Sequence, residues 1–225
     1  VVLELNLLAC LAHHWLLHPG DPSPGMFLHV GLFSFFLCEY LYFERVHLYT
    51  YVLFAERVGF KLGWGCLCFY AFFYAVGAWS LAAAPNPHTS VSALLLSAAL
   101  FFAGWVLARG ANLQKYFFKR APDRPAFGLL APEAIEHDGR RLLVNGFWGL
   151  SRHINYLGEI LMATGLALAL EDEGDVHPRV VLDLGIAVDE GLLQQPGQLL
   201  AHGSLAGAHG ANEVDVALAQ HGAQR

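Results

Sequence analysis

Charge is what this chain lacks most. Between Lys61 and Arg109 there is no Asp, Glu, Lys or Arg, an interval of 47 residues. A helix crossing a hydrocarbon layer needs roughly 20 apolar residues, so the interval has room for two crossings. They are LGWGCLCFYAFFYAVGAWSLAAA and VSALLLSAALFFAGWVLA, with PNPHTS between them. Two prolines break the run there, and Thr89 and Ser90 are helix-start residues. Only 14% of the 225 residues are charged and 56% are apolar. Soluble domains carry about 25% charged residues, so with a mean hydropathy of +0.43 the chain reads as a membrane protein.

Other absences narrow the reading further. The four cysteines, Cys10, Cys38, Cys66 and Cys68, all sit in apolar runs and form no disulfide framework. Cys66-x-Cys68 has no partner pair, which favours small hydrophobes over metal ligands. No GxGxxG follows a strand and no Walker motif is present, which excludes a soluble Rossmann domain. His13 and His14 beside Trp15 read as interfacial residues, with no further ligand at metal spacing, so no metal is expected. Nothing points to a nucleic-acid partner. The first apolar stretch has neither a basic leader nor a cleavage site, and without an initial Met it reads as a fragment beginning inside a helix.

Aromatic residues vanish altogether after residue 170. From Glu171 to Arg225 there is no Phe, Trp, Tyr, Lys, Cys or Met, although 29 aromatics precede it. Nine acids against Arg179 and Arg225 give this tail −7, whereas residues 1–170 carry +1. A disordered acidic extension is one account. The preferred one is an out-of-frame or mispredicted terminus replacing a helix that should continue past LALAL. The expected organisation is therefore a membrane region, 1–170, incomplete at both ends, and an acidic tail, 171–225. The expected fold is all-α: a partial polytopic transmembrane bundle, with the tail disordered or misfolded. Its spans are 1–17, 26–44, the two in the uncharged interval, and one opening near Asn155.

What is present gathers in two places. Five of the 13 Lys and Arg residues, Arg109, Lys115, Lys119, Arg120 and Arg124, fall in RGANLQKYFFKRAPDR. On charge alone this is the cytoplasmic bias of short loops. Yet Asn112, Lys115 and Lys119 stand at i, i+3 and i+7, one helix face suited to a phosphate, with Asp123 the nearest acid. The second place is GFWGLSRHINYLGE. If helical, Trp148, Arg152, Asn155, Tyr156 and Glu159 form one stripe. Trp, Tyr and Arg suit an interfacial anchor, but Asn and Glu on that stripe favour a cavity or partner. The intervening APEAIEHDGRRLLVNG is too polar to cross and turns at Asp138-Gly139, so both groups share one side of the membrane.

Acids in apolar runs are functional candidates by default. Glu44 and Glu56 have Arg45 and Arg57 as neighbours and read as neutralised surface charges. Glu39, in FFLCEYLYF, has none, which leaves two roles open: facing a substrate cavity, or pairing with another helix.

NLQKYFFKR followed by LLVNGFWGLSRHINYLGE, with ERVGFKLGWGCLCFYAFFY upstream, resembles the sterol reductase family over roughly residues 5–170. Its members reduce C14, C7 or C24(28) double bonds of sterols, and the lamin B receptor is related. The resemblance implies an integral, multi-pass membrane enzyme that uses NADPH, its cofactor pocket near the cytosolic face, in the endoplasmic reticulum or a bacterial inner membrane. The implied chemistry is protonation of an alkene in a sterol or related polycyclic isoprenoid, then hydride delivery. Carried over by position, Lys115 and Lys119 meet the cofactor phosphates, with Asn112 on the same face as a further cofactor-binding candidate, and Trp148, Arg152, His153, Asn155 and Tyr156 line the dinucleotide site. Tyr74 corresponds to the suggested acid, with a packed aromatic as the alternative, and Glu39 joins it as a catalytic candidate. Three departures stand out: Lys119 where Arg is usual, Cys66 in place of an acid, and no C-terminal signature with its further cofactor contacts. Other readings stay open. One is an isoprenylcysteine-type methyltransferase using S-adenosylmethionine, although Ile154 follows His153 where such enzymes usually have Pro. Another is a non-catalytic protein like the lamin B receptor.

Overall fold

The structure is a computed structural model that describes residues 1–47, 63–65, 69–137, 140–151 and 153–171. Glu56, Arg57, Lys61, Cys66, Cys68, Asp138, Gly139, Arg152 and the tail beyond Glu171 lie outside the described residues.

Helix α1 spans Val2–Leu17 and α2 spans Pro24–Tyr42. Ser23 starts α2: its hydroxyl accepts from the Met26 N–H at 3.2 Å, and Pro24 occupies the first turn, where its missing N–H costs nothing. A short α3, Glu44–His47, follows. The expected span over 62–84 includes two short helices instead, α4 (Tyr70–Phe73) and α5 (Val76–Ala82), separated by a tight turn in which Ala75 N–H donates to Phe72 O. The break at PNPHTS falls as expected, with Ser90 capping α6 through the Ala93 N–H.

Helix α6 runs unbroken from Val91 to Arg120. At 1.5 Å per residue its 30 residues reach about 45 Å, longer than the roughly 30 Å of a bilayer's hydrocarbon core. Its apolar stretch ends near Ala108, and the lysines fall in its last turns. Only α2 and α6, among the described helices, are long and apolar enough to cross; α1, the α4–α5 segment and the final helix α8 (Ile154–Leu168) are shorter apolar helices.

Small residues bring α6 and α8 into backbone contact. A Cβ on Gly158 would lie 2.5 Å from Ala108 N, and one on Gly165 would lie 2.6 Å from Ser97 O. The Ser97 hydroxyl uses that closeness to donate to Gly165 O at 2.6 Å. Lipid tails are as apolar as leucine, so helices in a membrane gain from such close approach rather than from burying grease. A second apolar cluster joins Leu7 of α1, Met26, Val30 and Phe33 of α2, Ala78 and Leu81 of α5, and Leu170.

Two expectations need correction. The polar excursion contains an antiparallel hairpin, β1 (Ala134–His137) with β2 (Arg140–Leu143), so the chain is mostly rather than wholly helical. His14 is fully buried, not interfacial. Its Nε2 accepts the Ser23 N–H at 3.0 Å, which leaves Nδ1–H to donate to Leu81 O at 3.2 Å, tying α1 to α5 and to the cap of α2. His13 and Trp15 remain exposed.

Candidate functional site

The polar end of α6 is the floor of the candidate site. The loop that follows β2 is clamped to it through Gln114, only 1% exposed. The Gln114 amide donates to Asn145 O at 3.0 Å and accepts from Phe147 N–H at 3.0 Å. Between them stands Gly146 with φ +61°, where a Cβ would lie 2.5 Å from the Gln114 nitrogen. A glycine is therefore required on two counts, its dihedral and its space. The clamp leads into α7, Phe147–Leu150, whose Phe147 ring covers the bare face of Gly110.

Trp148 is positioned by the same approach. Its indole N–H donates to Ala111 O at 2.9 Å, and Lys115 Nζ lies 5.3 Å from its ring centroid, within cation–π range. Lys115 and Lys119 are both exposed, one helical turn apart, and Asn112 is half-buried one turn earlier. The hairpin is fixed at the far end, where Arg141 donates to Asp123 at 3.1 Å and covers the Phe118 ring. Asp123 thus has Arg141 as a partner.

The stripe expected from Trp148 to Glu159 is not one helix face. Ser151 is extended (φ −161°, ψ 151°), which ends α7, and α8 starts anew after His153. The Ser151 hydroxyl accepts the His153 N–H at 3.2 Å, a local turn that competes with helix continuation. Asn155 and Tyr156 are half-buried in the first turn of α8, and the His153 ring stacks on Tyr156 at 5.2 Å and 7°. The antiparallel register set by Gly158 against Ala108 carries this turn beside Ala111 and Asn112. Trp148 thus meets the lysine face through Lys115, while His153, Asn155 and Tyr156 follow beyond a bend rather than along one stripe. Arg152 falls outside the described residues.

The two catalytic candidates lie elsewhere. Tyr74 is half-buried, stacked on Tyr70 at 4.8 Å and edge-on to Phe33 at 6.1 Å, in the α1–α2–α5 cluster. Glu39 pairs with another helix: its carboxylate receives Arg109 Nε–H at 2.6 Å and also Arg109 Nη2–H. Arg109 in turn donates from Nη1 to His47 Nε2 at 2.8 Å. Burial, and then the adjacent guanidinium, push His47 down to about 4. Gln114 and the pairing role of Arg109 escaped the sequence reading. The one available signal was that Arg109 closes the uncharged interval, as Glu39 interrupts another.

Residues 1–172 match the model of the ergosterol biosynthesis ERG4/ERG24 family. The chain is 33% identical over 149 residues to a delta(14)-sterol reductase of Arabidopsis thaliana, covering 66% of this chain and 39% of that protein. It is 35% identical over 164 residues to the delta(14)-sterol reductase of Methylotuvimicrobium alcaliphilum, covering 72% and 37%. A third relative is the mouse delta(14)-sterol reductase TM7SF2, 36% identical over 151 residues, covering 66% and 35%. The chain thus spans less than two fifths of the length of these relatives. With a family match over more than three quarters of its residues, it belongs to the ergosterol biosynthesis ERG4/ERG24 family.

Proposed function

We propose that this chain carries the cofactor-phosphate side of an integral membrane reductase that uses NADPH to reduce a carbon–carbon double bond in a sterol or related polycyclic isoprenoid. The observation that supports it is Lys115 poised over Trp148, itself pinned to α6, with Lys119 one turn on. The donor chemistry suits a dinucleotide: two exposed ammoniums for phosphate oxygens, and a flat indole wall. Asn112 and Asn155 add amides that both donate and accept, and the stacked His153–Tyr156 pair extends the aromatic wall. When bound, NADPH supplies the hydride. The rest falls to the chain: phosphates are held by Lys115 and Lys119 in water, and the apolar helices keep water from the reacting double bond.

Tyr74 is the proposed proton donor, set in the apolar cluster of α1, α2 and α5. Glu39 is assigned no proton transfer, because its carboxylate is engaged by Arg109. The site faces the cytosol in this reading, and α1, α2, α6 and α8 belong to a multi-pass bundle. That the family match stops at residue 172 supports a reductase-like region over 1–170, with 171–225 standing apart from it.

Thermal stability of the detergent-solubilised chain, titrated with NADPH and separately with S-adenosylmethionine, tests the proposal. A ligand that binds the folded form raises its Tm by mass action. NADPH is expected to stabilise, and Lys115→Ala with Lys119→Ala to weaken its binding about tenfold or more, the worth of one or two charge-assisted contacts. Stabilisation by S-adenosylmethionine alone, or unchanged NADPH affinity in the double variant, overturns it.

A further inference from the structure

Where α2 ends and α6 leaves the apolar layer, three side chains from three elements converge. Arg109 Nε donates to Glu39 Oε2 at 2.6 Å, Nη2 donates to Oε1, and Nη1 donates to His47 Nε2 at 2.8 Å. Arg109 is 5% and Glu39 6% exposed. The guanidinium carbon lies 5.4 Å from the centroid of the Phe43 ring, and His47 is stacked on Tyr40 at 3.8 Å and 17°. A guanidinium offers no acceptor, so His47 Nε2 must accept, and the neutral ring carries its proton on Nδ1. A carboxylate gripped by both prongs is ionised and acceptor-only, with no proton to deliver. The cluster is thus built to orient.

What it orients follows from helix geometry. Asn112, Lys115 and Lys119 follow Arg109 by three, six and ten residues on one unbroken helix. At about 100° per residue they lie some 60°, 120° and 80° round from Arg109, all to the same side. Gln114 and Ala111 hold the loop to α6 and travel with it; the glycine contacts hold α6 to α8 on one face, and Arg109 ties it to α2 and α3 on another. A rotation of roughly 20° would carry a side chain at the 5–6 Å helix radius by about 2 Å.

We propose that Arg109, Glu39 and His47 form a rotational lock that aims the Asn112–Lys115–Lys119 face at the dinucleotide phosphates. Arg109 and Glu39 are positioning residues: they act through the lysines and touch no ligand. The proposal rests on the cofactor reading of that face.

A double-mutant cycle separates the two. NADPH affinity and Tm are measured for the whole chain in detergent, for Arg109→Gln and Glu39→Gln, each with and without Lys115→Ala/Lys119→Ala. With the lysines present, each lock variant is expected to weaken NADPH about tenfold; without them, less than about twofold, because coupled sites do not add. Arg109→Lys keeps the charge but not the fork, and is expected to lose an intermediate factor of about three; it carries the test if Arg109→Gln does not fold. Lock variants that lower Tm at unchanged affinity show a purely structural pair and overturn the proposal. An equal loss in both backgrounds overturns it too, since the effect then bypasses the lysines. If removing the lysines leaves affinity untouched, the cofactor reading falls and the lock falls with it.

Discussion

Adding one methyl group at Gly158 tests how much the α6–α8 contact contributes. A Cβ there would sit 2.5 Å from Ala108 N, 2.6 Å from Gly104 O and 2.8 Å from Ala108 Cβ, whereas ordinary contact begins near 3.4 Å. Two of these three atoms are backbone and cannot rotate aside. The helices must part by about 0.9 Å, and a gap of that size forfeits a quarter to a half of each dispersion contact along the seam. Overpacking of this kind costs about 1–3 kcal/mol, and two rigid backbones in collision put Gly158→Ala at the upper end. Replacing glycine by alanine in a helix also returns about 1 kcal/mol, so a control is needed. Gly31, exposed on α2 with nothing within 4 Å of its would-be Cβ, supplies it. Both variants share the propensity gain, and their difference isolates the collision. At roughly 2–4 °C per kcal/mol for a chain of this size, Gly158→Ala is expected to melt about 5–10 °C below Gly31→Ala. Equal melting temperatures by detergent-phase thermal unfolding would refute a glycine-mediated contact.

Two further outcomes follow. As pH falls, the unfolded chain protonates His47 near 6.5 while the folded chain resists until about 4; stability is therefore full above pH 6.5 and drains away between the two values. The whole shift corresponds to about 3 kcal/mol, which solvent reaching the half-buried ring reduces to about 1–2 kcal/mol. A Tm drop from pH 7 to pH 5 that is smaller in His47→Gln than in the wild type is the expected signature, and parallel profiles would refute it. Gly146→Ala places a Cβ on the Gln114 amide at a positive φ, so it should cost about 1–3 kcal/mol of backbone strain and loosen α7 from α6. A variant with unchanged Tm and unchanged Trp148 fluorescence would dismiss the clamp.

Much of this was legible, for reasons that are local. PNPHTS announces a helix start through a side chain that bonds the adjacent backbone, and the structure places the Ser90 cap there. The i, i+3, i+7 spacing of Asn112, Lys115 and Lys119 needed only a helix, which α6 supplies. Its continuity past Ala108 was obscured because the apolar run stops there, while the backbone hydrogen bonds do not. The break at Ser151 was invisible for the opposite reason. No proline or glycine marks it, and a single hydroxyl bonding two residues ahead turns the chain. The pair His13-His14 failed because adjacent helical residues point about 100° apart, so one entered the core while its neighbour stayed exposed.

Glu39 shows what kind of information a linear reading omits, and how it can be regained. Its partner is 70 residues away on another helix, so no local rule pairs them. Yet both are charges standing at the limit of an apolar run, and a charge brought out of water costs several kcal/mol unless compensated. Each alone is therefore an unpaid electrostatic debt, and two of opposite sign on neighbouring spans have every reason to meet. A carboxylate that must neutralise a buried guanidinium cannot also surrender its charge to carry a proton, so the pairing by itself argues against Glu39 as a proton donor.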